Sequence, residues 1–202
     1  METKHIFMFG CWNKDRCGKQ DYRQVVLNKI KNDINPLSTY NNGIILGDNI
    51  YPFKEYKNAN NSKLVTTRKT SNTKKKKKPD KIFTIQTLEK LEDLISSCIP
   101  KQLQKDTTLK KSPGDSFLKV ILGNHDEEDN PCIKQKEISF FNTQKNAYLF
   151  QSNYITDCDL CHYIYLNTNA PNRDLLKTFL RSLVESKTID RNKWLLFIGH
   201  EP

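Results

Sequence analysis

Three glycines, each set directly behind an apolar run, constrain this chain more than any other feature. Ile44-Ile45-Leu46 leads into Gly47-Asp48-Asn49-Ile50-Tyr51, and the run Phe117 to Leu122 leads into Gly123-Asn124-His125-Asp126. Trp194 to Ile198 leads into Gly199-His200-Glu201-Pro202. Short apolar runs closed by glycine read as buried strands ending in turns. As parallel neighbours, such strands would bring carboxylate, carboxamide, phenol and imidazole groups to one end of a sheet. Open α/β sheets bind ligands at that end, and a mixture of oxygen and nitrogen donors suits hard or borderline metal ions.

The remaining pattern supports an α/β chain. His5 to Phe9, followed by Gly10, reads as a first strand and turn. Val25, Val26, Ile30 and Ile34 form a helical stripe within Asp21 to Ile34. A second stripe, Ile85, Leu88, Leu91, Leu94, Ile95 and Cys98, stops at Pro100. Beyond Asp126 the chain reads as polar until the strand-like segments Ala147 to Phe150 and His162 to Leu166. Pro171-Asn172 then opens an amphipathic helix through Val184, and Trp194 to Ile198 reads as a final buried strand. At 202 residues this is expected to be one domain spanning 1–202.

Charge is unevenly placed. Nine basic residues and one acid between Lys63 and Lys81 account for eight of the ten net positive charges. The segment 54–81, rich in Asn, Lys, Ser and Thr, reads as a disordered basic insertion, and the remaining chain is nearly neutral. Lys74 to Lys78 would contact nucleic acid only through phosphates, because no aromatic residue interleaves them. No stretch approaches the roughly 18 apolar residues of a membrane span. The N-terminus lacks a signal peptide's apolar region, so an intracellular protein without membrane partners is expected.

Six cysteines then read as reduced thiols rather than as a disulfide framework. Cys158-Asp159-Leu160-Cys161-His162 matches the c-type haem attachment pattern in form. Because the sequence continues into a core-like strand, it reads instead as small apolar residues entering that strand. A zinc half-site would lack its second CxxC.

Taken in order, the glycine-led segments resemble successive motifs of the calcineurin-like metallophosphoesterases. Tyr51, three positions after Asp48, matches the purple acid phosphatase-like branch, and Gly10-Cys11-Trp12-Asn13 resembles that family's opening Gly-Asp-Trp-Gly. Tyr165-Leu166-Asn167-Thr168 resembles a strand that usually ends in Leu-Asp-Thr. The resemblance implies a sandwich of mixed β-sheets flanked by helices, and hydrolysis of phosphate esters on a small molecule or a phosphoprotein. It also implies two metal ions drawn from Fe, Zn or Mn. By the same resemblance Asp48 bridges both ions, Tyr51 ligates the first, and Asn124 and His200 ligate the second. His125 faces the substrate as the catalytic group, and Asp126 supports it from behind.

Two departures limit the expectation. Cys11 stands where the family has its first ligand aspartate, a softer donor suited to zinc or copper, and it is expected here to be a structural thiol. The family's later Gly-His-X-His motif has no counterpart, so the fold is expected to be incomplete at its C-terminus, with a sheet edge or apolar face uncovered. At most one metal is then well supported. The expected protein is an impaired or fragmentary phosphoesterase, with a catalytically silent phospho-ligand binder, or association with nucleic acid through the basic loop, as the alternatives.

Overall fold

The computed structural model describes residues 5–12, 22–34, 40–49, 53–54, 81–82, 85–105, 112–128, 131–169, 172–186 and 188–200. The first half runs β1 (His5–Phe9), α1 (Tyr22–Ile34), β2 (Tyr40–Ile45), β3 (Phe53–Lys54), β4 (Lys81–Ile82), α2 (Ile85–Cys98) and α3 (Lys101–Lys105). The second half runs β5 (Leu118–Ile121), α4 (Asn124–Glu128), α5 (Pro131–Thr143), β6 (Ala147–Phe150), β7 (Tyr154–Asp157), β8 (Cys161–Tyr165), α6 (Arg173–Glu185) and β9 (Trp194–Ile198). The basic tract with Lys74 to Lys78 lies outside the described residues, as does Tyr51. The ends of the intervening segment pair as the short antiparallel ribbon β3–β4.

The chain is α/β. Four strands form a parallel sheet in the order β1-β2-β5-β6, and β7-β8-β9 form a second sheet. In the second, β7 runs antiparallel to β8 and β9 runs parallel to it. Because successive strand side chains face opposite ways, the central strands feed two cores. Ile45, Val120, Leu122 and Leu149 pack with Leu27, Leu91, Leu94, Cys98 and Phe141 on the helical side. Their neighbours Ile44, Ile121 and Phe150 pack with Tyr163, Tyr165 and Ile198 of the second sheet. Phe150 stacks on Tyr165 with ring centroids 4.2 Å apart. Each fully buried Leu or Ile contributes about 1.5–3 kcal/mol over leaving it exposed. The parallel sheet is thus held from both faces.

Several local expectations change. In α1 the buried residue is Leu27, while Val25 and Val26 are exposed. The stripe is therefore rotated so that Leu27 and Ile30 face α2 and the sheet. The interval expected to be polar holds the helix α5. Trp194 to Ile198 does form a strand, but only Ile198 is buried: β9 lies at the edge of the second sheet with Trp194 78% and Phe197 58% exposed. Among the described residues this edge position leaves it one lateral neighbour, and α6, capped by the Asn172 side chain, buries no residue fully. Among the described residues, no helix is long and apolar enough to cross a membrane.

Candidate metal centre

The strand ends converge. Hydrogen bonds carry the β1–β2 pairing one step past the strands, from Leu46 N to Phe9 O at 2.8 Å and from Cys11 N to Gly47 O at 3.2 Å. Cys11 is thereby placed beside Asp48. The backbone turns sharply here, with positive φ at Cys11 (52°), Gly47 (85°) and Asp48 (55°). Glycine adopts this region freely and aspartate tolerates it, but a cysteine there is strained. Such strain clusters at functional sites.

Two glycines allow the corners to touch. A Cβ on Gly123 would lie 2.3 Å from the Asp48 backbone nitrogen and 2.4 Å from Asp48 Oδ1. One on Gly47 would lie 2.6 Å from Gly123 N and 2.8 Å from His200 Nδ1. A side chain at either position would push the Asp48 corner away from the Asn124 corner, and one at Gly47 would also displace His200.

The donor atoms face one another across this junction. Cys11 Sγ lies 3.6 Å from Asp48 Oδ2. His200 Nε2 lies 3.3 Å from Asp48 Oδ1 and 3.1 Å from Asn124 Oδ1. The Cys11, Asp48 and His200 donors all fall within 4.8 Å of one another. A tetrahedral shell with metal–ligand bonds of about 2.0–2.3 Å puts neighbouring donors about 3.3–3.8 Å apart. The Cys11–Asp48 and Asp48–His200 separations fall in that range.

The tautomer of His200 sharpens the point. Its Nδ1 contacts the carbonyl oxygen of Leu46, which can only accept, so Nδ1 carries the proton. Its Nε2 then faces two oxygens, Asp48 Oδ1 and Asn124 Oδ1. A metal cation among these three atoms would satisfy them together, as would a proton on Nε2. The soft sulfur, the imidazole nitrogen and the oxygens together are a set suited to zinc rather than to manganese or iron.

Around the cluster lies a buried frame. Asp126 Oδ2 accepts from Gly123 N at 2.8 Å, from Asn49 N at 3.2 Å and from Asn49 Nδ2 at 3.3 Å, and Asn49 Nδ2 also donates to Ile121 O at 2.9 Å. Asp126 and Asn49 therefore clamp the Asp48 corner to the Asn124 corner. Asp48 Oδ1 also accepts from His125 N at 3.1 Å, and the His125 side chain is half-buried. Behind Asp126 sits Glu137, fully buried, with neither carboxyl oxygen hydrogen-bonded in good geometry among the described residues. Burial first, and then the Asp126 charge, hold its carboxyl well above the ordinary glutamate range; Asn49 and Lys134 oppose this only in part. Asn167 is a brace rather than a donor to the cluster, its amide donating to Glu127 Oε1 at 2.9 Å while Glu127 pairs with Lys134.

The structure thus brings Asp48, Asn124 and His200 together and sets His125 and Asp126 beside them, whereas Tyr51 is outside the described residues. Cys11 departs from the expected structural thiol: it is exposed and lies within the donor cluster, because its left-handed turn points the chain back toward Asp48. Sequence reasoning missed Asn49, Glu127 and Glu137. Asn49 carried a signal, since it directly follows Asp48 in a glycine-led corner. Glu137 carried none beyond being an acid three and four residues before Phe140 and Phe141. No family model matches this chain, and neither a curated protein nor a solved structure does.

Proposed function

We propose that this chain is a metallophosphoesterase-like protein of the purple acid phosphatase-like branch, whose corner holds a single zinc-class ion and acts on phosphate esters. The observation that carries the reading is the convergence of Cys11, Asp48, His200 and Asn124, each within 3.1–3.6 Å of the next in that order. When bound, the ion would supply a Lewis acid for a phosphoryl oxygen and lower the pKa of a coordinated water. Asp48 would hold the centre together, since its two oxygens face different donors, Cys11 on one side and His200 on the other. Its hold on His125 N would keep that residue at the rim of the cluster. There the imidazole would bind a phosphate oxygen or pass a proton to the leaving group.

The same donor set favours slow chemistry. A thiolate and a carboxylate together offset the charge of a divalent ion, so a phosphate dianion meets a centre of little net charge. Two-metal clamping stabilises attacking and leaving oxygens together, and the gathered donors suit one ion. This supports, as the second reading, a phospho-ligand binder with little or no turnover.

Metal analysis of the full chain after zinc loading and desalting tests the core of the proposal. About one zinc per chain is expected, lost in Asp48→Asn and His200→Ala by more than the 10–100-fold typical of residues that only orient ligands. Absence of retained zinc in the parent chain would sink the metal reading. Hydrolysis of an aryl phosphate then separates the two functions. Turnover that disappears with Asp48→Asn supports the enzyme, whereas zinc-dependent binding of inorganic phosphate with no turnover supports the binder.

A further inference from the structure

Cys158-Asp159-Leu160-Cys161 forms the turn joining β7 to β8. The ladder that pairs Asp157 with His162 continues one step further, with Cys158 N donating to Cys161 O at 2.9 Å. The two cysteines are therefore direct cross-strand partners. Both stand as thiols with their Sγ atoms only 3.1 Å apart.

Neither metal-type chemistry suits this pair. His162 is 3% exposed; its Nε2 accepts from Asp190 N at 3.0 Å and its Nδ1 lies 3.0 Å from Asp157 Oδ1. The ring is buried, with Nε2 hydrogen-bonded and Nδ1 turned to the Asp157 carboxylate, so it is not presented to a haem iron. Among the described residues the three-donor group is that at Cys11, Asp48 and His200. Cys158 and Cys161 thus find no third donor there to complete a zinc site.

The two thiols differ in a way that assigns roles. Cys161 is buried, and that burial, the largest cause, raises its thiol above the usual range. Cys158 is half-buried at the end of the hairpin, beside exposed Asp159 and Leu160. Its Sγ accepts from Cys161 N at 3.3 Å. A backbone N–H aimed at sulfur stabilises the thiolate, the nucleophilic form.

We propose that Cys158 and Cys161 form a thiol–disulfide exchange site for low-molecular-weight disulfides, in which Cys158 attacks and Cys161 resolves. The Cys158 thiolate attacks one sulfur of the incoming disulfide, forming a mixed disulfide and expelling the other half as a thiolate. Cys161 then gives its proton to solvent or to that thiolate and attacks Cys158 Sγ. The Cys158–Cys161 bond forms, the bond to the adduct breaks, and the second half leaves. Two protein thiols are oxidised and one external disulfide is reduced to two thiols. The sulfurs must close from 3.1 Å to about 2.05 Å, and the ladder register already opposes the two residues. The ring so closed is short, which limits its entropic gain and leaves the bond reversible.

Peptide mapping of the full chain tests this, because the tryptic peptide between Lys145 and Arg173 contains these two cysteines and no others. The reduced protein is exposed to oxidised glutathione, quenched in acid, alkylated and digested. The expected parent peptide is unalkylated and lighter by two hydrogen atoms, and dithiothreitol restores two alkylation sites. Cys161→Ser should retain glutathione on Cys158. Cys158→Ser should modify Cys161 at least about tenfold more slowly, as burial restricts attack. A parent peptide that stays doubly alkylated overturns the site, and this readout needs no variant to fold. Equal adduct formation in the two variants overturns the division of roles. Protection of both thiols by zinc without oxidation would replace exchange with metal binding.

Discussion

The two sheets contribute unequally to the corner at which they meet. β5 is buried along its length, with helices on one face and the second sheet on the other. In β9, by contrast, only Ile198 of five residues is buried. Cys11, Asp48 and Asn124 come from the well-packed parallel sheet, whereas His200 rides on the exposed edge strand. Precision in the site therefore rests on one sheet, and completion of the donor set rests on the other. A cation held by all four would link a rigid element to a loosely held one, so metal loading is expected to stabilise the second sheet more than the first.

The largest test of that contrast is a pair of truncations. Leu118 is fully buried in β5, an inner strand of the parallel sheet. Leu118→Ala should cost about 2–5 kcal/mol, the range for an emptied core site. Trp194→Ala removes a larger side chain, but from a position 78% exposed. It should fall within about 0.5 kcal/mol, as surface changes do. Urea denaturation of both variants would read the difference, and comparable losses would mean that β9 is covered in solution.

A second test strikes the junction itself. Gly123→Ala places a methyl group 2.3 Å from the Asp48 nitrogen, and backbone cannot yield as a flexible side chain does. The expected cost is about 1–3 kcal/mol of overpacking, with zinc retention lost because the Asp48 and Asn124 corners separate. The parallel sheet should keep its far-ultraviolet signal. A variant that binds zinc like the parent chain would show that the corners do not touch as described.

These tests also mark what could be read from residues alone. The glycine-led corners were legible because an apolar run followed by glycine reports both the strand and the place where its polar residues emerge. What was not legible has physical causes. An apolar run such as Trp194 to Phe197 looks the same in a core strand and in an edge strand, since its neighbours are supplied by distant segments. The role of Cys11 depended on a positive φ that no local rule predicts for cysteine. Helix α5 was hidden by its own core: Ile133, Glu137, Phe140 and Phe141 have helical spacing, but the stripe breaks wherever glutamate is assumed to face water.

Glu137 supplies the smallest and sharpest prediction. Its carboxyl is raised above the ordinary value of 4.5 by burial and then by Asp126. Below that value both folded and unfolded chains hold the proton, and the residue adds no pH dependence. As pH rises past it, the unfolded chain releases a proton that the folded chain keeps. Stability then falls with increasing pH until the folded carboxyl itself ionises. Glu137→Gln is close in shape to the protonated acid and has no charge to lose, so its stability should not decline over that interval. Urea midpoints of the two chains should therefore lie close together below pH 4.5 and diverge toward neutrality, with the variant the more stable. Parallel curves would mean that Glu137 ionises within the fold. The frame behind Asp126 would then hold a paired carboxylate, and the rigid side of the site would owe its order to charge rather than to a buried neutral acid.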